Sequence, residues 1–218
     1  MKTLAVPRPL ILIMVGLPGS GKSFFARQFA DMFSAPLIHY DRLQYELFAE
    51  PSFSTNEHEL LQRLAHYQIQ ELLKTKRSFI VDGGQNTRQD RVALEELARK
   101  HGYNTLVIWV QTDDPTAKMR SLRRNPKHID DVYKPKIAES QFAMLSKRLV
   151  TPTRESYVVI SGKHAFSTQA KMVLRKLSAP HLEQVAAAQT KDPAPKRPLQ
   201  PQARPDVPPA NRRSVIIS

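Results

Sequence analysis

Gly16-Leu17-Pro18-Gly19-Ser20-Gly21-Lys22-Ser23, preceded by the apolar run Leu10-Ile11-Leu12-Ile13-Met14-Val15, is the stretch whose reading decides the fold. Strand, glycine-rich turn and helix start follow one another here, and the spelling G-x-x-x-x-G-K-[ST] matches the phosphate-binding P-loop. In such a loop backbone N–H groups close around phosphate oxygens, and a Cβ at the glycine positions obstructs that approach. Lys22 supplies charge to the terminal phosphates and Ser23 offers a hydroxyl to Mg²⁺. The helix opening near Gly21 turns its positive end to the same anion. Gly16, Pro18, Gly19, Ser20, Gly21, Lys22 and Ser23 are therefore the expected nucleotide contacts. Three of the chain's seven glycines sit in this one turn. A chance glycine-rich turn is the competing reading; the buried-type strand before it and the apolar-periodic helix after it count against that.

The chain's 218 residues suit one main domain with a real core. With no cysteine, disulfides, thiolate metal sites and cysteine nucleophiles are excluded together, and nothing signals an oxidising compartment. The start, Met1-Lys2-Thr3, resembles a secretory signal, yet Pro7-Arg8-Pro9 interrupts it, and cleavage after the next apolar residues would destroy the loop. No other apolar run approaches the roughly 20 residues of a membrane span. A cytoplasmic protein without membrane contact is expected. The net charge of +13 admits two readings, a polyanionic partner such as nucleic acid or a solvated basic surface.

Further along, Phe25, Ala26, Phe29 and Ala30 repeat at helical spacing over residues 21–33, and Leu37-Ile38-His39-Tyr40 reads as a short strand ending at Asp41. A short helix follows over 42–49. Asp41 lies at the carboxyl end of a strand beside the P-loop, where a carboxylate can take a proton from an attacking hydroxyl; an N-cap for the next helix is the equal alternative. His39 reads as a strand residue pointing at a neighbouring helix. Residues 56–74 form a long amphipathic helix whose His58 and His66 have no partner at metal spacing. Ser78-Phe79-Ile80-Val81-Asp82 is a buried strand with an acidic end, and Asp82 there organises Mg²⁺ through a water. Gly83-Gly84-Gln85 leaves the sheet's active edge; Asn86 and Arg88 then either touch substrate or, with Thr87, begin the helix of 88–101 that Gly102 ends.

A fourth strand at 105–110 is punctuated by Asp113-Asp114-Pro115, which starts another helix. On that helix Arg120, Arg123 and Arg124 stand three and four apart, so their side chains converge as a lid over transferred phosphate, a solvated basic helix being the alternative. Residues 135–149 read as helix, 157–160 as the fifth strand and 167–177 as the last helix. The alternation specifies an α/β fold, a P-loop NTPase three-layer α/β/α sandwich on a five-stranded parallel sheet with an Arg-rich helical lid. Residues 1–178 form this domain. Residues 179–218 hold nearly half of the chain's 17 prolines, and such a composition predicts a disordered basic tail that docks a protein or polyanionic partner. Its β-prone end, Ser214-Val215-Ile216-Ile217-Ser218, is either frayed or an addition to a sheet edge.

Taken together, G-L-P-G-S-G-K-S, Y-D-R at 40–42, F-I-V-D-G-G-Q-N-T-R at 79–88 and M-R-S-L-R-R-N at 119–125 resemble the small P-loop kinases grouped with polynucleotide 5′-hydroxyl kinases and zeta-toxin-like ATP-binding proteins. The likeness covers about residues 9–178. It implies Asp41 as the general base that deprotonates an acceptor hydroxyl, and lid arginines among Arg120, Arg123 and Arg124 that contact nucleotide phosphates. It also implies ATP; no N-K-x-D motif follows a strand to read guanine. Polynucleotide kinases tend to carry Arg three residues after the base, where this chain has Gln44. The expected function is ATP/Mg²⁺-dependent transfer of a γ-phosphoryl to a hydroxyl, with Lys22, Asp41, Arg120 and Arg124 catalytic and Ser23 and Asp82 at the metal. The alternatives are a polynucleotide 5′-hydroxyl kinase specifically, and an ATP-binding module or slow ATPase acting through its tail.

Overall fold

The computed structural model describes residues 8–189 except 53, 126, 128–131, 134 and 135. Strand β1 (Leu10–Val15) is buried along its whole length and pairs on both edges, with β3 (Phe79–Asp82) and β4 (Asn104–Gln111). Strand β2 (Leu37–His39) lies outside β3, and β5 (Tyr157–Ser161) outside β4. The order is β2-β3-β1-β4-β5 and every pairing is parallel, as the alternating apolar runs require.

Helices α1 (Lys22–Phe33), α2 (Tyr40–Leu47), α3 (Thr55–Lys74), α4 (Arg88–Lys100), α5 (Asp114–Leu122), α6 (Glu139–Arg148) and α7 (Phe166–Gln189) connect and follow the strands. Period-two alternation sorts β1 between two layers: Ile11, Ile13 and Val15 pack in one core with residues of α3 and α4, whereas Leu10, Leu12 and Met14 pack with Phe25 and Phe29 of α1 and Val173 of α7. The α3 stripe Leu61, Ala65, Ile69, Leu73 repeats at four residues and is the buried face. Because the chain leaves β1 toward β2 and β3 and returns to its other side as β4, the end of β1 is a topological switch point, where open α/β sheets hold ligands.

Several boundaries move. Residue 40 already belongs to α2, α6 starts at Glu139 rather than 135, and α7 continues to Gln189, past the expected end near 177. The chain divides at Pro180 into two units, and the described part of the second, 181–189, is helical. The run of Leu182, Glu183, Gln184 and Ala186 to Ala188 favours helix locally, a preference hidden by the region's proline count. The disorder and docking expected of residues 190–218 lie outside the described residues. No helix among the described residues is long and apolar enough to cross a membrane.

One buried ion pair ties the sheet's functional edge together. Arg91, in the first turn of α4, is only 1% exposed. Its Nε donates to Glu155 Oε1 at 3.0 Å, and its guanidinium also reaches the carbonyls of Gln85 and Asn86. Burial by itself pushes the Glu155 carboxyl up. The backbone N–H groups of Glu155, Thr153 and Arg154 together with Arg91 outweigh that and hold it at about 2. The loop after β3 is thereby fastened to the segment entering β5. Removing one partner leaves a buried charge uncompensated, so Arg91→Ala should cost about 3–5 kcal/mol by urea denaturation. Since the folded-state pKa is depressed, this contribution is full above the ordinary value of 4.5 and lost as pH falls toward about 2. Glu155→Gln should accordingly flatten the fall of stability below pH of about 4.5.

Candidate active site

The P-loop bridges β1 and α1, and its glycines answer a demand beyond phosphate. Gly19 adopts φ 76°, and a Cβ there would lie 2.2 Å from the Ala117 carbonyl oxygen and 2.6 Å from Ser121 Oγ. The loop is thus pressed against α5 as well as open to an anion. From the other side Gly162, just after β5, approaches so closely that a Cβ would sit 1.9 Å from the Ser20 carbonyl oxygen. That same carbonyl accepts a hydrogen bond from Thr112 Oγ1 at 3.1 Å. Lys22 Nζ donates to the Leu17 carbonyl at 2.8 Å, which keeps its charge over the loop. Ser23 is buried at the first turn of α1.

Asp82 ends β3 beside β1, in register with Met14, and is buried. One hydroxyl and one carboxylate on the same edge are hard oxygen donors of the kind Mg²⁺ takes when phosphates and water complete its shell. The residues therefore fit the ion expected from the sequence.

Asp41 lies elsewhere than the end of a strand. β2 stops at His39, and Asp41 is the second residue of α2, exposed to solvent. It is not the N-cap: His39 is, its Nδ1 accepting from the Arg42 N–H at 2.9 Å. The opposite ring nitrogen, Nε2, lies 3.3 Å from Asp82 Oδ2. A histidine expected only to face a neighbouring helix thus caps α2 and comes near the buried carboxylate, whose Oδ2 takes no hydrogen bond from it. Tyr40 is buried beside Gly83 and Gly84. Burial raises its phenol pKa, with the Gln85 side chain opposing and the Asp90 charge adding to the rise. Gln44 is buried. Burial also raises the Tyr45 pKa, reinforced by the charge of Asp41 and opposed by that of Arg124. Both charged groups therefore lie near Tyr45, whose ring is 6.3 Å from that of Tyr133.

The lid arginines do not share one helix. Asp113 caps α5 through Thr116, with Pro115 in the first turn as expected, but α5 ends at Leu122 and Arg123 is its C-cap. The three- and four-residue spacing consequently fails to make one face. Arg120 turns to the P-loop side, its Nη1 donating to the Gly162 carbonyl at 3.1 Å. Arg124 is half-buried, and Arg123 is exposed. Lys163 pairs with Asp113, and this contact with Thr116 holds the Asp113 carboxyl well below its usual range. A groove of about 860 Å³ opens beside the loop, lined by Leu17, Thr112, Asp113, Lys163, His164 and Met172 among others. Thr112, Gly162 and His39 escaped sequence reading. Only Gly162 carried a local signal, a glycine directly after an apolar strand.

Comparison with known proteins adds relatives to this geometry. An L-seryl-tRNA(Sec) kinase of Methanococcus maripaludis is 27% identical over 127 residues, 57% of this chain and 50% of that one. The chain thus spans about half the length of that relative. Among solved structures, a sugar kinase from Janibacter sp. HTCC2649 superposes with TM-score 0.57 at 18% identity, covering 81% of this chain and 98% of its own. Kti12 of Chaetomium thermophilum, solved with ADP-AlF3, gives TM-score 0.57 at 20% identity, covering 75% and 95% respectively. At such identities these two show the fold, that of the P-loop kinases. The family model AAA_33, an AAA domain, matches residues 11–149, a span that takes in the P-loop, Asp41, Asp82 and the arginines of the lid, and the chain belongs to that family.

Proposed function

We propose that the protein is an ATP- and Mg²⁺-dependent phosphotransferase that moves the γ-phosphoryl of ATP to a hydroxyl group. The observation that carries this reading is the arrangement on one sheet edge of a P-loop with Lys22 and buried Ser23, the buried carboxylate of Asp82, and the exposed carboxylate of Asp41. The kinase fold and the kinase among the relatives support it.

In this reading the loop amides from Gly16 to Ser23 and the Lys22 ammonium hold the β- and γ-phosphates, with the α1 N-terminus adding its partial positive charge. Ser23 and Asp82 hold Mg²⁺, which when bound neutralises charge on the phosphates. Asp41, free to face solvent, takes the proton of the acceptor hydroxyl as its oxygen attacks phosphorus. ADP leaves with the electron pair of the broken P–O bond. Arg120 reaches the nucleotide from the P-loop side and Arg124 from the α2 side, so charge on the transferred group is met from both directions. Arg123, exposed at the C-cap of α5, is left to a phosphate contact at the rim.

A hydroxyl carried on nucleic acid is the second reading for the acceptor. It is favoured by the net charge of +13 and by the tRNA-linked substrate in the name of the Methanococcus relative. Against it stands Gln44, buried at the position where polynucleotide kinases tend to carry an arginine. Residues 190–218 serve in either case as a docking segment.

Label from γ-³²P ATP, offered to 5′-hydroxyl oligonucleotides, seryl-tRNA and a panel of polyols, should appear on one class only. Asp41→Asn should lower that transfer by about 10²–10⁴-fold while leaving ATP affinity nearly intact. Unchanged transfer would contradict the role of Asp41, and transfer to water alone would favour a slow ATPase. Gly162→Ala, by driving a Cβ into the Ser20 carbonyl, should weaken binding of a fluorescent ATP analogue on the order of tenfold or more.

A further inference from the structure

The sequence allows Asn86 two tasks, contact with substrate or the start of α4. The start of α4 is taken by Thr87, whose side chain accepts the Asp90 N–H at 3.2 Å. The main-chain carbonyl of Asn86 is held twice over, accepting from Arg91 Nη1 at 3.2 Å and from the Val150 N–H at 3.0 Å. Its side-chain amide is half-buried and has no hydrogen-bond partner among the described residues. An amide carries two N–H donors and an acceptor oxygen, so binding capacity stands there without internal use.

The loop that carries this amide is fixed at both ends. Arg91, buried and paired with Glu155, also reaches the Gln85 carbonyl at 3.3 Å, and Val150 directly follows the C-cap of α6. The far end of the loop is thus fastened to a buried guanidinium and to the chain returning from α6. At its near end, Cβ atoms on Gly83 and Gly84 would lie 2.6 and 2.5 Å from the side chain of Tyr40, the residue before Asp41. Asp82, from which the loop departs, is in register with Met14 of β1 on one side and with His39, just before α2, on the other. The loop therefore leaves the sheet between the strand that feeds the phosphate cradle and the helix that carries Asp41, where an acceptor must lie to meet both. A main chain held in this way presents its side chain in advance of any ligand.

Building on the phosphotransfer reading, we propose that Asn86 recognises the acceptor, its amide exchanging hydrogen bonds with a neutral polar group, a hydroxyl or an amide, next to the hydroxyl that is phosphorylated. An uncharged group that both donates and accepts suits such a partner, and phosphate is left to Lys22 and the arginines. Asn86 takes no part in the transfer: no proton moves through it, and it holds acceptor and transition state alike. Loss of binding of that uniform kind raises KM and spares kcat.

The test uses the full chain and whichever probe takes label from γ-³²P ATP among 5′-hydroxyl oligonucleotides, seryl-tRNA and polyols. A polyol offers hydroxyls alone, whereas the nucleic acids add the amide edges of their bases, so the labelled class also names the group that is read. Asn86→Ala removes the amide and keeps the clamped carbonyl; Asn86→Asp keeps the shape and removes the donors. N86A should raise KM for that acceptor about three- to tenfold, with kcat changed by less than about twofold and with ATP affinity and melting temperature as in the wild type. N86D should raise KM as well, since a carboxylate cannot donate. Unchanged KM in both variants, a fall in kcat at constant KM, or an equal rise in KM from Gln89→Ala at an exposed neighbouring position overturns the proposal. Should N86A fail to fold, N86D decides alone. A wild-type chain that labels no acceptor overturns the phosphotransfer reading itself and this inference with it, an outcome distinct from an active wild type with indifferent variants.

Discussion

The contact on which the rest of the structure depends is backbone against backbone. The P-loop carbonyl of Ser20 lies against Gly162 and accepts from Thr112, while Gly19 lies against the carbonyl of Ala117. These neighbours come from the ends of β4 and β5 and from α5, all on one side of the loop's own strand. Within the loop the Ser20 N–H donates to the Leu17 carbonyl at 3.1 Å, and the surfaces packed around it set its outer shape. Glycine at 19 and 162 is what lets the imposing surfaces come close enough. The cradle is thus a product of the sheet's assembly, and the eight-residue motif supplies only its inner wall.

Polar contacts add to this. His39 caps α2 beside Asp82, and Arg91 with Glu155 holds the loop after β3, on one side of β1, to the segment entering β5, on the other. Groups read as touching phosphate or acceptor stand at strand ends and helix starts, Ser23 and Asp82 buried and Asp41 exposed, and Arg91 sits buried behind the loop that follows Asp82. Asp41 is exposed and its neighbour Tyr40 buried, a separation that follows from their places on the first turn of α2.

What could be read from the chain and what could not divide along locality. The five strands, the parallel sheet and the position of Asp82 follow from apolar runs and a glycine motif that are contiguous in sequence. The placement of His39 does not, because it depends on the register between β2 and β3, which are joined only after two intervening helices. Gly162 looked like any turn glycine, since the carbonyl it accommodates belongs to Ser20, far away in the chain. The common helical face expected of the lid arginines is missing for a different reason: nothing in Leu122-Arg123-Arg124-Asn125 marks a helix end before Pro126, yet α5 stops at Leu122 with Arg123 as its C-cap. The N-cap of α2, open in the sequence as one of two roles for Asp41, is His39, because a ring nitrogen does the same work as a carboxylate when the preceding strand presents it.

On the proposed reading, a P-loop, a buried carboxylate and an exposed one on a single edge move a phosphoryl group by position and field. The most direct check is a crystal structure with ADP, aluminium fluoride and Mg²⁺, read for the distance from Asp41 to the oxygen in line with the departing ADP. The account predicts the fluoride over the amides of Gly16 to Ser23 and a carboxylate oxygen of Asp41 within about 3 Å of that in-line oxygen. A nucleotide bound away from the loop, or an Asp41 carboxylate out of hydrogen-bond reach of that oxygen, would contradict it.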